Sequence, residues 1–219
     1  MDCLSIYTMI KGVIFDFWGT LVEQGTYSPL RQTYKILRVR MPFSPFVVKF
    51  ENVFMTKKYE DQATAFREVC KAFNIDCKPF VVDKLIGIWN SCKLLAKPYP
   101  ETLQVLKDLK DKGLKLAVSS NSPYNNVEPV LEKFDMEKYF DRVNLSWETG
   151  KLKHESESFE SILRKMNLKH GEVLMVGDSL ETDIAGAEKV GIKAVLVDRK
   201  GRREYKNKIK DLSELNQFL

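Results

Sequence analysis

The chain has 219 residues, enough for one ordinary domain with a modest insertion and a sizeable buried core, and too few for more than two folding units. Hydrophobic residues at 44%, charged residues at 30%, and 11 Gly with 8 Pro describe a globular chain and exclude disordered, collagenous and continuous coiled-coil classes. The net charge of +5 raises nucleic-acid binding, but much of the excess falls in Arg199 to Lys210, whose one aromatic is Tyr205, and this reads as a solvated face.

Nothing approaches the roughly 18 to 20 consecutive apolar residues of a membrane span. Met1 to Tyr7 carries an acid and no long apolar core, so it is not read as a secretory signal. The expectation is a cytoplasmic protein, a monomer or homodimer, with neither a membrane nor a nucleic acid as partner. Cys3, Cys70, Cys77 and Cys92 lack the paired close spacing of a zinc or redox site, and buried free thiols are expected.

The first apolar run, Val13-Ile14-Phe15, lies between Gly12 and Gly19 and predicts a buried strand with Asp16 at its end. Ser28-Pro29 and Ser44-Pro45 each offer an N-cap followed by a proline suited to a first helical turn. Phe46, Phe50, Val53 and Phe54 share one helical face, as do Phe66, Val69, Cys70 and Phe73, and as do Leu85, Ile88, Trp89 and Cys92. A compact helical module is therefore expected over 24–97. After Pro98-Tyr99-Pro100, a helix turns Leu103, Leu106 and Leu109 inward and stops at Gly113. Strand-like Leu114 to Val118 delivers Ser119, Ser120 and Asn121. A helix over about 126–133, a strand near 142–145 and a helix over about 156–166 follow. Val173 to Val176 ends in Gly177-Asp178-Ser179, and a helix over about 181–190 precedes the strand Ala194 to Val197. Such alternation predicts an α/β fold, a Rossmann-like parallel sheet flanked by helices.

In open parallel sheets, ligands bind beyond the carboxyl ends of the strands. Asp16, Ser120 and Asp178 each stand at or just past such an end. Any one of them alone could be a helix N-cap; all three together point to a site. Asp16-Phe17-Trp18-Gly19-Thr20-Leu21, Ser120-Asn121, Gly150-Lys151-Leu152-Lys153 and Gly177-Asp178-Ser179-Leu180-Glu181-Thr182-Asp183, in that order, resemble the four motifs of the haloacid dehalogenase-like (HAD) hydrolase superfamily. The helical module resembles that family's small cap, which divides the chain into a core of 1–23 and 98–219 and a cap of 24–97.

The resemblance implies that Asp16 is a nucleophile forming a covalent aspartyl intermediate. Lys153 would lie against it and keep it ionised. Thr20 would bond within the loop, while Ser120, Asn121 and Trp18 would meet a small anionic substrate. Repulsion between a carboxylate and a phosphate dianion is relieved by Mg2+, for which Asp16, Asp178 and the backbone carbonyl of Trp18 would be ligands, with Asp183 just outside or acting through water. Neither His154 nor His170 receives a catalytic role. The cap would gate access. Arg31, Arg38, Arg40, Lys57 and Lys58 are its candidates to meet an anion, although each is better read as a solvated surface charge.

One departure bears on function. Phosphatases of the family usually carry a second aspartate two residues after the nucleophile, as general acid and base, and here that position is Trp18. A positioned acid or base contributes roughly 10²–10⁴ in rate, and indole cannot substitute. Three readings follow: a Mg2+-dependent phosphatase favouring good leaving groups unless a group from the cap or the substrate supplies the proton; a 2-haloacid dehalogenase, since halide leaves unprotonated; or a binding protein that keeps the fold and the metal site.

Overall fold

The structure, a computed structural model, describes residues 9–24 and 27–219; Met1 to Tyr7, with Cys3, lie outside the described residues. In chain order the elements are β1 (Gly12–Phe15), β2 (Val22–Glu23), α1 (Pro29–Leu37), α2 (Phe43–Phe54), α3 (Gln62–Ala72), α4 (Pro79–Leu95), β3 (Lys97–Pro98), α5 (Thr102–Asp111), β4 (Lys115–Ser120), α6 (Glu128–Lys133), β5 (Arg142–Leu145), α7 (Ser146–Thr149), α8 (Ser156–Met166), β6 (Val173–Gly177), α9 (Ala185–Lys189), β7 (Lys193–Val197) and β8 (Lys208–Ile209).

Six strands form one sheet in the order β5-β4-β1-β6-β7-β8, every neighbouring pair parallel. Burial on both faces explains why β1, β4, β6 and β7 read as apolar runs without alternation. Successive side chains still divide between the faces: Val13 and Phe15 join one core layer, while Ile14 packs with Phe159, Ile162 and Met175 in the other. From β1 the chain proceeds to β4 and β5 on one side, then returns to β6 on the other. The order thus reverses around β1, and a crevice opens at its carboxyl end.

Between β2 and β3, α1 to α4 build their own apolar cluster around Phe46, Phe50, Phe54, Phe66 and Trp89, which Leu152 joins from the far part of the chain. Ser28 caps α1 as expected, its side chain accepting from the Arg31 amide, with Pro29 in the first turn. At α2 the start differs: Pro42 is the cap residue and Ser44-Pro45 sits inside the first turn. Amides of a first turn have no helical acceptor, so Pro45 sacrifices no hydrogen bond there. The segment leaves and rejoins the sheet through an antiparallel pair, Val22 with Pro98 and Glu23 with Lys97.

Several expectations are corrected. Leu103 is 39% exposed, because the inward stripe of α5 is Thr102, Leu106 and Leu109 and Leu103 lies one position off it. The expected helix over 181–190 begins as a wide π-type turn at Leu180–Ile184 before α9, with Ser179 capping the Thr182 amide. Cys70 and Cys77 form a disulfide across the turn from α3 to α4, where left-handed Asn74 folds the chain back; Cys92 is buried on α4. The basic segment is only partly a solvated face: β8 extends the sheet, and Tyr205 packs against the second core layer. No helix among the described residues is long and apolar enough to cross a membrane.

Candidate active site

Asp16 follows β1 directly, its amide bonded to the Val176 carbonyl of β6 (2.9 Å), so its carboxylate emerges at the reversal point between β4 and β6. The chain then turns tightly: the Phe17 carbonyl accepts from both the Leu21 and Val22 amides, while the Phe17 ring is buried in the core. Gly19 adopts φ +89°, and a Cβ there would stand 2.6 Å from Asp178 Oδ2, so conformation and space both require glycine. Thr20 donates to Asp16 Oδ2 (3.0 Å) and orients the carboxylate.

Lys153 is buried, its Nζ 2.5 Å from Asp16 Oδ1 and 2.6 Å from Asp183 Oδ1. Asp183 is fully buried, and its Oδ2 accepts from the Ser179 amide (3.0 Å). The wide turn after Ser179 brings this carboxylate back under the end of β6. Oxygens of Asp16, Asp178 and Asp183 all lie within 4.8 Å of one another. Asp183, expected just outside the metal position or acting through water, lies in the same group of three carboxylates, its two oxygens engaged by Lys153 and the Ser179 amide.

The electrostatics follow from crowding. Burial, with Lys153 opposing and Asp183 and Asp178 reinforcing, pushes the Asp16 carboxyl up to about 7. Burial and then Asp183 raise Asp178 to about 6. Burial works against the charged Lys153 ammonium, yet Asp16 and Asp183 outweigh it and hold its pKa above the ordinary lysine value. Three carboxylates face one ammonium, and the excess negative charge is confined to hard oxygen donors. A divalent cation of the Mg2+ type fits this donor set and would balance it.

Ser120 Oγ lies 2.8 Å from Ser122 Oγ, which also accepts from the Trp18 indole (3.3 Å). Trp18 packs edge-on against Phe17 and through Ser122 ties the loop after Asp16 to the end of β4. Asn121, expected to hold substrate, is engaged at both ends of its carboxamide: Oδ1 accepts from the Lys153 amide (2.9 Å) and Nδ2 donates to Glu51 of α2 (3.0 Å). Asp16, Trp18, Ser120, Asn121, Lys153, Asp178 and Asp183 line a cavity of about 650 Å³ whose other wall comes from α1, α2 and α4; Thr20 does not reach it. Arg31 reaches this cavity and stacks on Phe43, whereas Lys57 and Lys58 lie over Tyr59 and Tyr124.

Sequence reasoning missed three residues here. Arg199 donates to the Thr20 carbonyl (2.9 Å) and pairs with Glu101 (2.8 Å), bracing the loop after Asp16. Arg203 donates to the carbonyls of Asp178 and Val197 and pairs with Asp198, bracing the loop after β6. In the sequence both belong to the basic run Arg199 to Lys210. Glu51 stands on a stripe of Ser44, Val47, Val48 and Met55 at helical spacing that also lines the cavity, and a lone acid on an apolar stripe was its one signal.

A family model described as haloacid dehalogenase-like hydrolase matches residues 10–191. The glyceraldehyde 3-phosphate phosphatase of Methanothermobacter thermautotrophicus is 27% identical over 226 residues, spanning 96% of this chain and 100% of that protein. An (S)-2-haloacid dehalogenase from a Pseudomonas strain is 25% identical over 200 residues, spanning 87% of this chain and 85% of its own. A HAD phosphatase crystal structure from Thermococcus onnurineus superposes with a TM-score of 0.65 at 26% identity, over 95% of this chain and 97% of that one.

Proposed function

The chain belongs to the haloacid dehalogenase-like hydrolase family, and from that premise we propose that it is a Mg2+-dependent phosphatase of a small phosphorylated metabolite, acting through a phosphorylated Asp16. The observation that carries the reading is the convergence of the Asp16, Asp178 and Asp183 carboxylates at the reversal point of the sheet, with the buried Lys153 ammonium paired to Asp16 and Asp183. Such a cluster suits transfer of a phosphoryl dianion more than displacement of a halide, which brings no multiply charged group to neutralise. The phosphatase name of the Methanothermobacter relative supports the same choice.

Asp16, Asp178 and the Trp18 carbonyl would hold Mg2+, with Asp183 positioning them; the cation supplies charge neutralisation for attack on a phosphate dianion. Asp16 is the nucleophile, aimed by Thr20 and flanked by the Lys153 ammonium, which also offsets charge on the transferred group. Ser120 and Asn121 line the route of the phosphoryl oxygens. The division of the chain into a core of 1–23 and 98–219 and a cap of 24–97 assigns the helices the task of closing over the substrate and excluding water. A cavity of about 650 Å³ matches a small metabolite.

A second reading keeps one specific support: Trp18 provides no proton for a leaving alcohol, and halide needs none, in line with the dehalogenase relative. One experiment separates the two. Phosphate release from sugar phosphates, 4-nitrophenyl phosphate and acetyl phosphate is measured with Mg2+ and with chelator, beside chloride release from 2-chloropropionate. Mg2+-dependent phosphate release that disappears in Asp16→Asn is expected. Chelator-resistant chloride release, with no phosphate released, would sink the proposal.

A further inference from the structure

Resting on the phosphatase reading, we propose that Glu51, presented by α2 on the helical wall of the cavity, is the catalytic proton donor and acceptor that Trp18 does not supply. In-line phosphoryl transfer places the leaving oxygen on the side of phosphorus away from the attacking atom. Asp16 attacks from the strand ends, so the leaving oxygen faces the wall built by α1, α2 and α4. Among the described residues lining that wall, Glu51 is the carboxylate.

Its placement is fixed. The Asn121 carboxamide donates to Glu51 Oε2 and accepts from the Lys153 amide, and the Lys153 ammonium touches Asp16. A continuous chain of contacts therefore links the nucleophile to Glu51 across the seam. Because Asn121 occupies Oε2, Oε1 is the oxygen left to carry a proton. Val47, Val48 and Met55 line the cavity on the same helical stripe. Burial, opposed by the Asn121 hydrogen bond and Lys153 and aided by Asp183, pushes the carboxyl up to about 7. Other ionisable groups on the cavity are Asp16, Asp178, Glu181, Arg31 and His154. A group titrating near neutrality serves both as acid and as base.

The steps balance. An Asp16 oxygen bonds to phosphorus as the bond from phosphorus to the ester oxygen breaks, and the Glu51 proton passes to that oxygen, releasing alcohol. Glu51, now a carboxylate, takes a proton from water as the water oxygen bonds to phosphorus. The Asp16–phosphorus bond breaks, leaving inorganic phosphate, ionised Asp16 and protonated Glu51.

The test compares first-turnover rates of the full chain with Mg2+ on an alkyl monoester, glycerol 3-phosphate, and on 4-nitrophenyl phosphate, whose leaving group needs no proton. Glu51→Gln keeps the acceptor for Asn121. It should slow alcohol release about 10²-fold or more while a stoichiometric burst of 4-nitrophenol keeps nearly the wild-type rate, followed by slow turnover. Equal losses on both substrates, or no loss on either, overturn the proposal. Should the variant not fold, wild type alone decides: alkyl first turnover declines above pH about 7 relative to aryl, and parallel profiles overturn it. Failure of the phosphatase reading is distinct, because wild type would then release phosphate from neither ester.

Discussion

Asp16 and Asp178 carry pKa values of about 7 and about 6 against an ordinary 3.8, and burial is the leading cause of both. A carboxyl raised in the folded state favours folding while it stays protonated. That contribution is complete below its ordinary pKa and disappears as pH rises through the folded value. Metal-free protein should therefore lose stability between pH 5 and pH 8. Carboxylates held low, such as Asp141 and Glu172, change protonation only at more acidic pH and do not offset this. Mg2+ reverses the sign of the local field, so its addition should raise the melting temperature by more at pH 8 than at pH 5.5. Melting curves with Mg2+ and with chelator at both pH values check this; an equal or larger gain at pH 5.5 would count against metal binding by this cluster.

At the scale of elements, the end of β6 and the wide turn after it act as one unit. A Cβ added to Gly177 would stand 2.5 Å from Asp183 Cβ and closer still to its carboxylate. Asp183 cannot swing freely aside, being buried and held by the Ser179 amide and Lys153. Gly177→Ala is expected to cost about 1–3 kcal/mol, a typical overpacking penalty, and to weaken Mg2+ binding together with stability. Thermal melts and a Mg2+ titration followed by melting temperature measure the two effects. A variant as stable as wild type, with the same Mg2+ response, would show that Asp183 has room to move. The disulfide between α3 and α4 lies in the helical segment, away from this unit.

For the whole molecule, legibility in the sequence tracked the range of the interactions. Val13-Ile14-Phe15 and Val173 to Val176 announce buried strands because burial on both faces removes alternation, and the residues that end them fall at one edge of a parallel sheet by topology alone. Lys153 was legible only through the order of its motif, since nothing local separates it from Lys151, which is exposed and pairs with Glu155. Glu51 was illegible as part of the site because Ser44, Val47 and Glu51 run alongside Phe46, Phe50 and Phe54, and tertiary packing alone decides which stripe faces the cavity. The same holds for Arg199 and Arg203, which differ from neighbouring cations only in the carbonyls they meet.

The antiparallel pair of β2 and β3 brings Glu23 and Lys97 side by side, about 5 Å apart as any such partners are. A few glycines joining these two positions could thus replace everything from Gln24 to Ala96 without stretching the backbone of the six-stranded layer. The shortened chain would retain its acidic triad and Lys153 but lose the opposite wall of its crevice. Bulk solvent would then reach Asp16, and the phosphoenzyme proposed for it would be open to any passing nucleophile.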